Sequence, residues 1–267
     1  MPRSSAGKPD SFQKLVETMA RLRRECPWDR EQTSRSIMPF LVEETYEVVE
    51  ALEKSDAGEV RAELGDLLLQ ILFHAELAAE RGEFDIYDVV ETIREKMIRR
   101  HPHVFGDAEA KTAEDVLRNW SRIKSTERRG EKKDTSVLAG IPASLPALLR
   151  AERLGEKASS VGFDWPDPDS VLAKVKEEIA ELETATRSGD SGQIEAETGD
   201  CLFALASLAR KHGFSAEFAL GQALERFRER FGSIEAELSR QGRDIHSTPL
   251  DEMESLWQRT KARSRSD

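Results

Sequence analysis

The 267 residues are 38% hydrophobic and 34% charged, with 40 Lys and Arg against 51 Asp and Glu, a net charge of −11. An acidic chain repels phosphate backbones, and no face concentrates its basic residues, which argues against general nucleic-acid binding. The strongest apolar run, Leu67 to Phe73, is broken by Gln70 and falls far short of the roughly 18 residues that span a bilayer.

From the N-terminus, Met1 to Ser11 is polar and lacks the apolar core of a secretory signal. Cys26 and Cys201 are not clustered for a zinc site and fit unpaired thiols in a reducing cytoplasm, the expected location. Trp28-Asp29 lies between two helical patterns. Leu41, Thr45, Val48, Val49 and Leu52 then recur at helical spacing, as do Leu64, Leu67, Leu68, Ile71, Leu72 and Ala75 beyond the Ser55-Asp56-Ala57-Gly58 loop. Glu44 sits about 60° from the centre of its apolar stripe, which puts a charge beside the core. His101-Pro102-His103 reads as a capping or turn element.

A charged, Pro-punctuated stretch, 125–146, reads as a linker. Beyond it the chain repeats itself. Glu44, Glu47, Glu63 and Asp66 recur as Glu178, Glu181, Glu197 and Asp200, a constant offset of 134. Val171, Leu172, Val175, Ile179 and Leu182 form the matching apolar stripe, and Asp164-Trp165 corresponds roughly to Trp28-Asp29. Lys96 and Arg100 recur as Arg226 and Arg230, and Trp120 with Lys124 as Trp257 with Lys261. With no sustained alternating β-branched run, these patterns predict an all-α chain of two tandem homologous helical bundles, residues 1–124 and 147–267.

Carboxylates three apart on a helix face one way, so two antiparallel helices can bring four acids together. Four such acids repel unless a cation joins them, and oxygen ligands favour Mg²⁺, with Mn²⁺ the alternative. A ferritin-like di-iron site is disfavoured, because none of the five histidines has a Glu three residues before it. Gly65 and Gly199, inside helices at a cost of about 1 kcal/mol each, predict close backbone approach. Guanidinium forks at Arg226 and Arg230 suit phosphate oxygens, Trp257 suits stacking on a base, and Lys261 adds charge. Lys96, Arg100, Trp120 and Lys124 are the first-half equivalents. Acids, bases and an aromatic together describe a nucleoside triphosphate site.

Cys26-Pro27-Trp28-Asp29, the two Glu-Glu-x-x-Glu…Glu-x-Gly-Asp blocks, Arg99-Arg100-His101-Pro102-His103-Val104-Phe105, Gly162-Phe163-Asp164-Trp165 and the Trp257 region resemble the MazG family, nucleoside triphosphate pyrophosphohydrolases of the all-α NTP pyrophosphatase superfamily. The resemblance implies a tandem helical homodimer that hydrolyses NTPs and dNTPs to monophosphate and pyrophosphate with Mg²⁺, with broad base tolerance and a house-cleaning role. It puts metal and catalytic acids at Glu178, Glu181, Glu197 and Asp200, with Glu44, Glu47, Glu63 and Asp66 as first-half metal ligands. Phosphate and base contacts fall on Arg226, Arg230, Trp257 and Lys261, with Lys124 a contributor. Gln193 departs from the Lys that members often carry there, and Arg226 stands where Lys is common. A non-catalytic alternative, a metal-stabilised helical dimer that senses nucleotides or docks a partner, uses the same acids.

Overall fold

The computed structural model describes residues 10–112, 115–116, 119–120, 123, 127 and 136–263; Lys124 and residues 125–126 and 128–135 of the expected linker lie outside them. The regular structure among the described residues is helical throughout. The chain is all-α and separates into two compact units, 1–120 and 121–267. No described helix is long and apolar enough to cross a membrane.

Unit 1 comprises α1 (Asp10–Glu25), α2 (Pro27–Glu31), α3 (Ser34–Lys54), α4 (Ala57–Glu80), α5 (Ile86–Arg100) and α6 (Pro102–Phe105). Met19 of α1, Ile37 of α3, Leu72, Phe73, Ala75 and Leu77 of α4, and Ile86 of α5 form its core. Each large side chain buried there contributes roughly 1.5–3 kcal/mol. Buried Arg23 crosses this core as a polar tie. Its Nε and Nη2 each donate to Glu80 at 2.7 Å, and Nη1 donates to the carbonyls of Asp29 and Gln32. One guanidinium thus fastens α1 and the α2 turn to the end of α4. Between α5 and α6, His101 serves as the cap of both, its Nδ1 2.6 Å from the Met97 carbonyl, in line with the turn reading of this motif.

Unit 2 contains α7 (Ala147–Ser159), α8 (Pro168–Ser188), α9 (Ser191–Lys211), α10 (Ala216–Arg240), a 3₁₀ turn (Ile245–Ser247) and α11 (Leu250–Arg263). Val171, Val175 and Ala185 of α8, with Cys201, Ala204, Ala206 and Ala209 of α9, are buried, and the small residues let these helices lie close. A separate cluster of Ile234, Leu238 and Leu256 fixes α11 to the far end of α10. Glu152 of α7 accepts from Ser215 Oγ at 2.9 Å and the Ala216 N–H at 2.6 Å, satisfying a free donor at the start of α10.

The repeat extends to the caps. Thr33 and Asp167 each cap the first long helix of their half through a side-chain oxygen. Ser55 and Gly189 end those helices in the left-handed region, at φ 59° and 76°. Asp56 and Asp190 then each accept two backbone N–H bonds to open the partner helix. All three pairs are 134 apart. The same reversal, built from the same chemistry, therefore returns α4 along α3 and α9 along α8.

Two expectations need correction. Part of each apolar stripe is not core within the chain: Leu52, Leu64, Ile71, Leu172 and Ile179 are exposed, because periodicity identifies an apolar face and not what covers it. Nor do Gly65 and Gly199 mediate close approach within the chain, since a Cβ at either would meet nothing within 4 Å. The space beside them is open.

Candidate active site

Each helix reversal brings acids together across the helix pair. In unit 1, Glu44 of α3 and Glu63 and Asp66 of α4 each offer a carboxylate oxygen within 4.8 Å of the others. In unit 2, Glu178 of α8 and Glu197 and Asp200 of α9 do the same. Burial also repeats: the residue from the first helix is the most enclosed in unit 2, the first acid of the returning helix is half-buried, and the aspartate is exposed.

The fourth acid of each half lies beside its trio. Burial first, then a hydrogen bond with Glu47 and the charges of Glu47, Asp66 and Glu63, pushes the Glu44 carboxyl above its ordinary range. Burial first, then Glu178 and Glu197, does likewise to Glu181, against the opposing pull of Lys174. Acids crowded in this way are stabilised by a cation. The donors are all oxygen, so the sets fit Mg²⁺ or Mn²⁺ better than a soft metal.

The halves differ at one cation. Lys174, one turn before Glu178, places Nζ 2.6 Å from both Glu177 and Glu178. These two carboxylates hold its ammonium above the ordinary lysine range. The equivalent residue in unit 1 is Phe40. Sequence reading overlooked Lys174, although its i, i+4 spacing from Glu178 was the available signal.

One basic and one aromatic candidate meet in each half. The Arg100 guanidinium lies 5.5 Å from the Trp120 ring centroid and that of Arg230 5.8 Å from Trp257, both in cation–π geometry. Trp257 further packs on Phe227, with centroids 5.2 Å apart. Arg226 is exposed one turn before Arg230; Lys96 and Lys261 are half-buried. The Arg230–Trp257 pair belongs to α10 and α11 and the acid trio to α8 and α9, with α9 packed against α10. Gln193 is exposed near the start of α9 and donates its backbone N–H to Asp190; its unit 1 counterpart is Glu59.

Two segments, residues 32–105 and 167–233, match the MazG nucleotide pyrophosphohydrolase domain. The chain belongs to the MazG family. Both matched segments contain a complete acid trio, so the geometric repeat is a repeat of this domain. Among its relatives is a nucleoside triphosphate pyrophosphohydrolase of Escherichia coli (strain K12), 43% identical over 94% of this chain and 97% of that one. A Thermotoga maritima protein named nucleoside triphosphate pyrophosphohydrolase/pyrophosphatase MazG is 41% identical over 94% of this chain and 95% of its own. Asp164, outside the matched MazG segments, is tied up in ion pairs. It receives Arg210 Nη2 at 2.6 Å, Arg210 Nη1 at 3.1 Å and Lys211 Nζ at 2.8 Å, clamping the loop before α8 to the end of α9.

Proposed function

We propose that this MazG protein hydrolyses nucleoside triphosphates, NTPs and dNTPs alike, to nucleoside monophosphate and pyrophosphate, using Mg²⁺ held by its acid quartets. The observation that carries this reading is the pair of matched trios, each with three carboxylate oxygens within 4.8 Å, in a chain whose full-length relatives are named for this activity. Water attacks the α-phosphorus, the bond to the α,β-bridging oxygen breaks, and pyrophosphate leaves. When bound, Mg²⁺ supplies charge neutralisation and a lowered water pKa. Glu178, Glu181, Glu197 and Asp200 would hold the ion and orient the water, and one of these carboxylates would accept its proton. Lys174, Arg226, Arg230 and Lys261 take the phosphate charge, and Trp257 takes the base. Glu44, Glu47, Glu63 and Asp66, with Lys96, Arg100, Trp120 and Lys124, are the equivalent set in the first half.

Stacking discriminates little among bases, because every base has a π-face, so base tolerance is broad at Trp257 and the role is house-cleaning of the nucleotide pool in the cytoplasm. In this reading residues 1–124 and 147–267 act as two domains joined by 125–146. The working form is a homodimer. Leu52, Leu64 and Ile71 in unit 1 and Ile179, Leu202 and Leu205 in unit 2 are exposed, and apolar faces of this kind mark association surfaces. Sedimentation should then give twice the chain mass.

The deciding experiment is product analysis after incubation with Mg²⁺ and each NTP. Monophosphate plus pyrophosphate is expected. Diphosphate plus phosphate would move the cleavage site, and intact NTP with measurable binding would favour the nucleotide-sensing alternative.

A further inference from the structure

The two acid trios are alike in geometry but not in the charge beside them. Lys174 Nζ lies 2.6 Å from Glu177 and 2.6 Å from Oε1 of Glu178. Glu178 is the most enclosed acid of its trio, at 6% exposure. At the matching position before Glu44 stands Phe40, edge-on to Trp28 with ring centroids 6.1 Å apart. A phenyl ring balances no charge.

A second difference has the same sign. Four residues before the first acid of the returning helix, and so on its face, the first half has Glu59 and the second has neutral Gln193. Lys54 sits 3.7 Å from Glu59 but also 3.0 Å from Glu50, so one lysine serves two acids. Glu50, Lys54 and Glu59 together keep one net negative charge, where Thr184, Ser188 and Gln193 carry none. Around matched ligands the first half is therefore the more negative.

A divalent ion and the Lys174 ammonium compete for the Glu178 carboxylate. An ion about 2.1 Å from one of its oxygens would stand roughly 5 Å from an ammonium on the same group. Repulsion between a unit charge and a divalent ion at that range is worth about tenfold in affinity even at the dielectric of water. Ligand charge tunes oxygen-ligated divalent sites in the same sense. A triphosphate alters the balance, because it offers Lys174 a more highly charged partner than Glu177 and Glu178. On its flexible stem the ammonium can turn to phosphate oxygens without movement of α8.

We infer that Lys174 closes the second-half trio to a bare divalent ion and opens it when the ion arrives with the phosphates of a nucleotide, whereas the first-half trio, with Phe40 in that place, takes the ion alone. The inference rests on the metal and nucleotide chemistry proposed above. It orders the two halves: the first fills with metal at concentrations that leave the second empty, and the second fills together with its substrate.

Manganese EPR on the full chain, with Mn²⁺ alone, should resolve a tight and a weak class of site about tenfold or more apart in Kd. Glu44→Gln should abolish the tight class and Glu178→Gln the weak one. In the Glu44→Gln background, Lys174→Met should tighten bare Mn²⁺ about tenfold, and in calorimetry it should weaken the preformed 1:1 complex of Mn²⁺ with α,β-methylene-ATP. A merely structural role would not give these opposite signs. Lys174→Gln repeats both measurements should Met not fold, and Phe40→Lys should weaken bare Mn²⁺ in the first half. Loss of the tight class from Glu178→Gln would overturn the inference, as would Lys174 variants that move the bare ion and the complex in the same direction. Two classes of equal affinity in a chain that still releases pyrophosphate would remove the inference and keep the parent reading. The expected pattern in a chain that releases none would keep the role of Lys174 and remove the reaction, and no Mn²⁺ bound by either half would overturn both.

Discussion

Lys174 Nζ lies 2.6 Å from a carboxylate oxygen of buried Glu178, while the residue 134 positions earlier, facing Glu44 across the same helical turn, is Phe40. Among the described residues, the second-half trio therefore carries an internal cation at a position where the first-half trio has Phe40. On the proposed reading, a lysine there would balance the acids without metal and turn to phosphate once a metal took its place. Lys174→Met should lower Tm in the absence of metal and enlarge the Tm rise produced by Mn²⁺. It should also raise KM for NTPs. An Mn²⁺-induced rise equal to that of the unaltered chain would show that Lys174 is not the counter-ion of these acids.

Exchanging one ligand at matched positions ranks the two halves. Glu178→Gln keeps size but removes a ligand charge, and a loss on the order of 10²-fold in kcat is expected. Glu44→Gln should cost less, since its half lacks the Lys174 that would meet the phosphates. Steady-state pyrophosphate release measures both. The reverse ranking would move the principal site to the first half, and no loss from either variant would refute carboxylate-dependent catalysis.

Trp257 is held by Phe227 on one helix and by Arg230 one turn further on. Trp257→Ala should raise KM about tenfold for every NTP, the scale of one lost base-stacking contact. A rise confined to a single base would reveal a hydrogen-bonding reader near Trp257.

Asp164 gives a pH-dependent prediction. Burial alone would raise its pKa, but the bonds from Arg210 and Lys211 outweigh it and hold the carboxyl well below the usual Asp range. A folded pKa depressed in this way contributes stability that is complete above the unfolded value of about 3.9 and is lost as pH falls through the lower folded value. Asp164→Asn should therefore cost about 3 kcal/mol in urea unfolding at pH 7, the scale of breaking a buried ion pair. The gap between variant and parent should shrink from about pH 4 downward. A gap independent of pH would assign the loss to packing.

The repeat was legible because the chemistry of a helix reversal is local. The Asp56 and Asp190 caps, the Gly189 turn and the acid spacing all lie in the string of letters, and together they fix both helix pairs. Arg100 with Trp120 and Arg230 with Trp257 were named as partners in function, and the structure adds that they touch. Long-range relations were less visible. Nothing near Asp164 in sequence announces Arg210, 46 residues on, and the apolar recess between Trp28, Phe40 and Phe73 needs α1, α2, α3 and α4 before it exists. Lys174 is a different kind of omission, since an acidic context made it resemble one of the many solvated i, i+4 pairs on these helices.

The open space beside Gly65 and Gly199 bears on how stability depends on protein concentration. Alanine at either position would fit the chain's own structure and favour its helix by about 1 kcal/mol. In the proposed homodimer that methyl would be duplicated by symmetry, and it would hold apart any partner helix approaching over the glycine. The substitution would thus strengthen the solitary chain while weakening the pair, and melting of the unaltered protein should rise with dilution reversed, that is, as the sample is concentrated. In the proposed homodimer, glycine in both halves would give up some stability in the solitary chain for more in the assembled pair.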